Sequence, residues 1–175
     1  MKACAPWLAL ALTAACGLEE PRPSGRLGFD LLVDRAVSDK VASLQVAVLA
    51  HVKDCSVVGR DCLAAQVAPQ KLELETLTDA SGRGHKALTF PLALGDGGFQ
   101  SFAVAGIRAG RDYAVVIEAL TRDSPPNLYG SSCTILPEVT AGANKPLVAT
   151  PVSRFSPTDG GTDAGATACD PRLEP

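Results

Sequence analysis

The chain has 175 residues, 46% hydrophobic and 20% charged, with 16 Lys and Arg against 19 Asp and Glu for a net charge of −3. That length suits one domain of ordinary size. Its basic residues are scattered instead of gathered into a stripe, so nucleic acid is not an expected partner.

The N-terminus reads as a secretory signal peptide over residues 1–15: one positive charge at Lys2, a short apolar run, then small residues. That run is shorter than the ~20 residues a membrane-spanning helix needs. The cleavage region, "LTAAC" at 12–16, resembles the lipobox of bacterial lipoproteins, except that the leucine sits four residues before the cysteine and Thr13 takes its usual place. The resemblance implies a diacylglyceryl group on the Cys16 sulfur, cleavage before Cys16 and acylation of the freed amine. Within that family, Gly17 after the cysteine implies sorting to the outer membrane. Acyl chains bury at ~0.8 kcal/mol per methylene, enough for two or three to hold a protein on a bilayer. The alternative is simple secretion after a cut near Ala15. Residues 16–24 form a polar, Pro-rich tether, "GLEEPRPSG" continuing into the domain. Loss of residues 1–15 removes Lys2 alone among the charges, leaving 15 basic and 19 acidic residues and a net charge of −4. Trp7, the single tryptophan, leaves with the signal.

From there the period is two. In "RLGFDLLVD", Leu27, Phe29, Leu31 and Val33 share a face, and "VASLQVAVLAH" repeats the pattern with Leu44, Val46 and Val48. "KLELETLT" sets Leu72, Leu74 and Thr76 against Lys71, Glu73 and Glu75, which reads as a half-exposed strand with both glutamates in solvent. "ALTFPLAL" follows, demoted by Pro91 to an edge strand or bulge. "GDGG" at 95–98 is a hairpin signal leading into "FQSFAVAGI". "RDYAVVIEAL" is apolar on both faces, as a central strand is, and "LYGSSCTIL" and "LVATPVSRF" close the series. Only residues 37–42 offer a helical turn. About eight short strands with turn chemistry between them predict an all-β fold, a single antiparallel β-sandwich of about 7–8 strands over residues 25–155.

Within it, "VAGIRAGRDYAVVIEAL" resembles a recurrent stretch of transthyretin-like and carboxypeptidase-regulatory-like sandwiches, matched here by Ile107, Gly110 and Tyr113, with Val115 and Ile117 on the tyrosine's face. The residues themselves predict a positive-φ turn at Gly110 and a buried Tyr113 ring whose hydroxyl bonds back to the turn. Such modules are usually accessory, so the resemblance implies a fold and no activity. The tail, residues 156–175, contains "TDGGTDAG" and reads as a low-complexity, disordered segment up to Cys169. Its aspartates fit no calcium-loop spacing.

Six cysteines are present. Without Cys4 and a lipidated Cys16, there remain Cys55, Cys62, Cys133 and Cys169. An even number in an exported chain predicts two disulfides, with three possible pairings. Cys55–Cys62 across "SVVGRD", with Cys133–Cys169 pinning the tail, is the expected one. The rival is a metal site drawn from His51, Asp54, Cys55, Asp61 and Cys62, but there is no C-x-x-C pair and export favours disulfides.

Catalytic signatures are lacking. His51 and His85 read as solvated loop residues, "YGSSCT" at 129–134 lacks the second glycine of a nucleophile elbow, and there is no phosphate loop, dinucleotide fingerprint or zincin motif. Glu118, inside the most apolar strand, is expected to be structural, either exposed near the strand's end or paired with an arginine. No enzyme activity, no metal and no cofactor are expected. A sugar platform would rest on Tyr129 and Phe155, while protein binding through loops 95–98, 121–127 and 140–146 needs no special residues. The sequence therefore predicts a lipid-anchored, non-catalytic protein of the cell envelope. It would attach to the membrane through Cys16 and serve as a structural element or adaptor for another envelope protein at the outer membrane. A small-ligand or glycan-binding lipoprotein is the alternative. A metal-dependent hydrolase would require His51, His85 and a carboxylate to converge.

Overall fold

The computed structural model describes residues 23–32, 39–58, 62–67, 72–93, 99–149, 152–153 and 170–174. These form a β-sandwich of two six-stranded sheets. In the first, β1 (Ser24–Leu32) is flanked on one side by β7 (Phe99–Arg108). Its other side carries β10 (Gly142–Ala143) and β11 (Leu147–Ala149), both parallel to it. Beyond β7 lie β4 (Leu77–Thr78) and β5 (Gly84–His85). The second sheet centres on β8 (Gly110–Thr121), between β2 (Val41–Ala50) and β9 (Leu128–Val139). Short strands finish its edges: β3 (Glu73–Leu74) and β6 (Leu88–Pro91) on β2, and β12 (Val152–Ser153) on β9.

Alternation builds the core between the sheets. Leu27 and Phe29 of β1, Leu44, Val46 and Val48 of β2, and Val115 and Ile117 of β8 are all buried there, as the period-two reading requires. β6 ends at Pro91, on the edge of its sheet, where a missing amide leaves no ladder bond unmade. The strands number twelve among the described residues because several expected runs are cut into pieces. "KLELETLT" is one of these. It pairs with β2 in the second sheet through Glu73 and Leu74, then crosses to the first sheet at Leu77, so its two halves belong to different layers. Of the possible helical turn at 37–42, residues 37–38 lie outside the described residues and strand begins at Val41. Among the described residues helical structure occurs in a 3-10 turn at Cys55–Val57 and in α1 (Leu63–Val67). The hairpin signal at 95–98 lies outside the described residues.

Between β7 and β8 a single residue, Ala109, carries the chain from one sheet to the other, and its amide donates to the Pro23 carbonyl (2.9 Å). Tyr113 closes this corner: its ring is buried and its hydroxyl donates to the Arg108 carbonyl at 3.0 Å, as expected. The role read for Gly110 is corrected. The positive φ falls on Asp112 (60°), not on Gly110. Glycine is needed because a Cβ at 110 would meet the Tyr113 hydroxyl at 2.6 Å. Gly110→Ala is expected to cost about 1–3 kcal/mol through overpacking, and Tyr113→Phe about 1 kcal/mol through the lost hydrogen bond. Urea unfolding midpoints check both, and the double variant should cost less than the two singles added, because removing the hydroxyl makes room for the methyl.

Candidate functional site

The centre of the second sheet, β2 and β8, is buried on both faces. On its outer side Ala47 and Leu49 of β2 and Ala114 and Val116 of β8 form a second apolar cluster with Val52, Leu63 and Ala87. Its cover is made by the 3-10 turn, α1 and residues 170–174, with Val58, Val67, Cys133, Ile135 and Leu173 packed at its margin. We call residues 170–174 the strap.

Two polar side chains sit inside this layer. Gln45 and Glu118 oppose each other across β2 and β8, and Glu118 is 1% exposed. The carboxylate accepts from the Leu63 amide (2.8 Å), at the first residue of α1, and from the Gln45 side-chain amide (3.1 Å). Gln45 in turn reads the strap's backbone, donating to the Pro171 carbonyl (2.8 Å) and accepting from the Leu173 amide (3.0 Å). Glu118 thus lies buried at mid-sheet and not at an exposed strand end, and its role there is to tie the cover to the sheet. Removing its carboxylate strands at least the Leu63 amide in an apolar layer.

Cys55 bonds to Cys133 across 78 residues, with Cα atoms 5.9 Å apart. This corrects both expected bridges, the Cys55–Cys62 loop and Cys133–Cys169: the 3-10 turn, capped by Asp54 Oδ1 on the Ser56 amide (2.9 Å), aims Cys55 across the layer at Cys133 of β9. Cys62, fully buried, is also disulfide-bonded, and its sulfur lies 3.7 Å from the Asp170 carbonyl oxygen. Cys16 and Cys169 lie outside the described residues. With both Cys55 and Cys62 sulfurs committed, the rival thiolate ligand set loses two members.

The histidines part company. His51 has φ 60° and a side chain 77% exposed, 3.9 Å from the Glu73 carboxylate, in keeping with a solvated residue. His85 is not solvated in that way. Its Nε2 lies 3.0 Å from Asp79 Oδ2 and its Nδ1 3.0 Å from Glu174 Oε2. The hydrogen bonds to Glu174 first, then Asp79, raise its pKa above the ordinary value. Asp79 is held well below the usual carboxylate range by Ser81, Arg83 and His85. For Glu174, burial pushes upward but the hydrogen bonds from His85 and the Lys86 amide outweigh it and hold the pKa down. Among the described residues no group of three or more His, Cys, Asp or Glu is arranged to hold a metal ion.

Glu75, expected in solvent, is 8% exposed and accepts from Arg108 at 2.8 Å, a consequence of the crossing between sheets. Tyr129 is half-buried with its side chain packed against the central core, and Phe155 lies outside the described residues. Beside the strap, a cleft of about 490 Å³ is lined by Ala64, Val67, Leu74 and Leu173, with Glu73, Lys86 and Arg172 around it. The sequence signal for this whole layer is the two-faced apolarity of "RDYAVVIEAL", which requires a cover on both sides.

Comparison with family models, with curated proteins and with solved structures finds no match for this chain.

Glu118→Ala is expected to cost about 2–4 kcal/mol in a urea titration, because buried donors lose their acceptor. Peptide mapping without reductant should return Cys55–Cys133, with Cys62 in a second bridge. Recovery of Cys55–Cys62 would refute the first bridge.

Proposed function

We propose that the protein is exported, anchored through a lipid on Cys16, and serves without catalysis as a structural or adaptor element of the cell envelope. The observation that carries this reading is the Cys55–Cys133 bridge joining the outer layer to β9. Disulfides persist in oxidising compartments and are rare where glutathione and thioredoxin keep thiols reduced. The signal-like residues 1–15 and the lipobox-like cysteine agree with it. The corner built by Tyr113, Arg108 and Gly110 is in keeping with the transthyretin-like resemblance, whose modules are accessory to other proteins.

For the adaptor role, the support comes from the loops. In 121–127, the Thr121 hydroxyl donates to Asp123 (2.8 Å) and accepts from the Asn127 amide (2.9 Å). In 140–144, the Asn144 side chain bonds Thr140 at its amide, carbonyl and hydroxyl. Exposed loops fixed by their own side chains lose little entropy on binding. The glycan-binding alternative would rest on Tyr129, whose ring is half-buried against the core.

Cells grown with labelled palmitate should label the wild-type protein and not Cys16→Ala, which should leave the membrane fraction. An unlabelled wild type would sink the anchoring. A photo-crosslinker placed at Asp123 or Ala141 should trap one defined envelope protein, and the absence of any adduct would sink the adaptor role.

A further inference from the structure

The contact between His85 and the strap is not needed for anchoring or for the sandwich core, and its geometry has its own consequence. Both imidazole nitrogens face carboxylate oxygens, Asp79 at Nε2 and Glu174 at Nδ1, each at 3.0 Å. A neutral imidazole has one N–H and one lone pair. It satisfies one of these carboxylates and turns a lone pair towards the other. Only the imidazolium donates to both.

The two carboxylates are not held alike. Asp79 Oδ1 accepts from the Ser81 amide (2.8 Å), the Ser81 hydroxyl (2.7 Å) and the Arg83 amide (2.9 Å), all within its own hairpin loop. Glu174 belongs to a separate segment, and its other carboxylate oxygen accepts from the Lys86 amide. Asp79 is thus the more firmly held of the two, by three donors of its own loop against the one Lys86 amide on Glu174. The other charged groups nearby are already engaged or lie to the side: Arg83 donates to Ser81, Arg172 pairs with Asp170 within the strap, and Lys86 and Glu73 line the cleft.

We infer that residues 170–174 form a pH-gated strap, clasped over the outer face of the second sheet while His85 bridges Asp79 and Glu174 as an imidazolium, and released from Leu173 onward when that proton leaves. The covering at Cys62 stays in place, because Cys62 is disulfide-bonded and Leu63 is held by Glu118. Release moves Leu173, one wall of the cleft whose other apolar walls are Ala64, Val67 and Leu74, and so widens that cleft.

The direction follows from the histidine. Its pKa is raised in the folded chain, so its contribution to the clasp is complete below the unfolded value of 6.5 and is lost as pH rises through the folded value. Glu174, with a lowered pKa, contributes above its ordinary 4.5 and loses the contact as pH falls through its folded value. The strap is therefore clasped in mildly acidic solution and loosened on the alkaline side.

Hydrogen exchange of the intact, disulfide-bonded protein tests this, read by NMR as protection factors corrected for the intrinsic pH dependence. The Leu173 amide, which donates to Gln45, is the reporter, and Val116 of β8 is the control. Between about pH 6 and pH 9, wild-type Leu173 protection is expected to fall about threefold or more, the scale of a partly exposed ion pair, with Val116 unchanged. In His85→Gln the Leu173 protection should be low and flat with pH. Glu174→Gln, at the strap's own end and no threat to folding, should behave the same way. Protection at Leu173 that holds constant across the range in wild type overturns the inference. So does a parallel loss at Val116, which would mean the whole domain opens, or an unaltered pH response in Glu174→Gln.

Discussion

A carboxylate buried between a sheet and its apolar cover must be fully partnered or it unfolds what surrounds it. Glu118 meets that demand by recruiting donors from outside its own strand: the first amide of α1 and the side chain of Gln45 opposite. Gln45 then passes the constraint on to the strap through Pro171 and Leu173. Three segments far apart in sequence converge on one polar point, and directional hydrogen bonds there fix what an apolar pair would leave to packing. This is the use of buried polar groups for specificity, at some cost in stability.

The covalent links reinforce the same layer. Cys55–Cys133 ties the cover to β9 and Cys62 is disulfide-bonded within the cover, while the core between the sheets is apolar packing around Phe29, Leu44, Val46 and Ile117. The molecule is thus a sandwich with its own third layer. The cover is thin, one short helix, one 3-10 turn and a strap, and the bridges and the Glu118 contact fasten it to the sheet.

How much of this the amino-acid order reveals depends on the range of the physics involved. The alternation in β1, β2 and β8 is a local property set by the pleat, and it is readable residue by residue. So is the Tyr113 corner, where ring and turn lie within five residues of each other. Long-range choices are not. α1 has five residues, too few to show a helical period. Glu73 and Glu75 look alike in an alternating run, yet one faces solvent and the other meets Arg108, because the chain leaves the second sheet just after Glu75, whose amide still donates to Val48 of β2. The nearness of Cys55 to Cys62 in sequence says nothing of which way a 3-10 turn points the first sulfur. His85 looks like a loop residue because its second partner, Glu174, comes 89 residues later.

The parallel pairing at the edge of the first sheet bears on how the chain acquires its shape. β1, beginning at Ser24, takes β10 and β11 as neighbours through Gly25 with Gly142 and Phe29 with Leu147. A polypeptide that emerges N-terminus first, from a ribosome or through a translocation pore, must hold its earliest strand half-paired until nearly everything else has appeared. Such late closure slows collapse, and a slow folder remains threadable for longer.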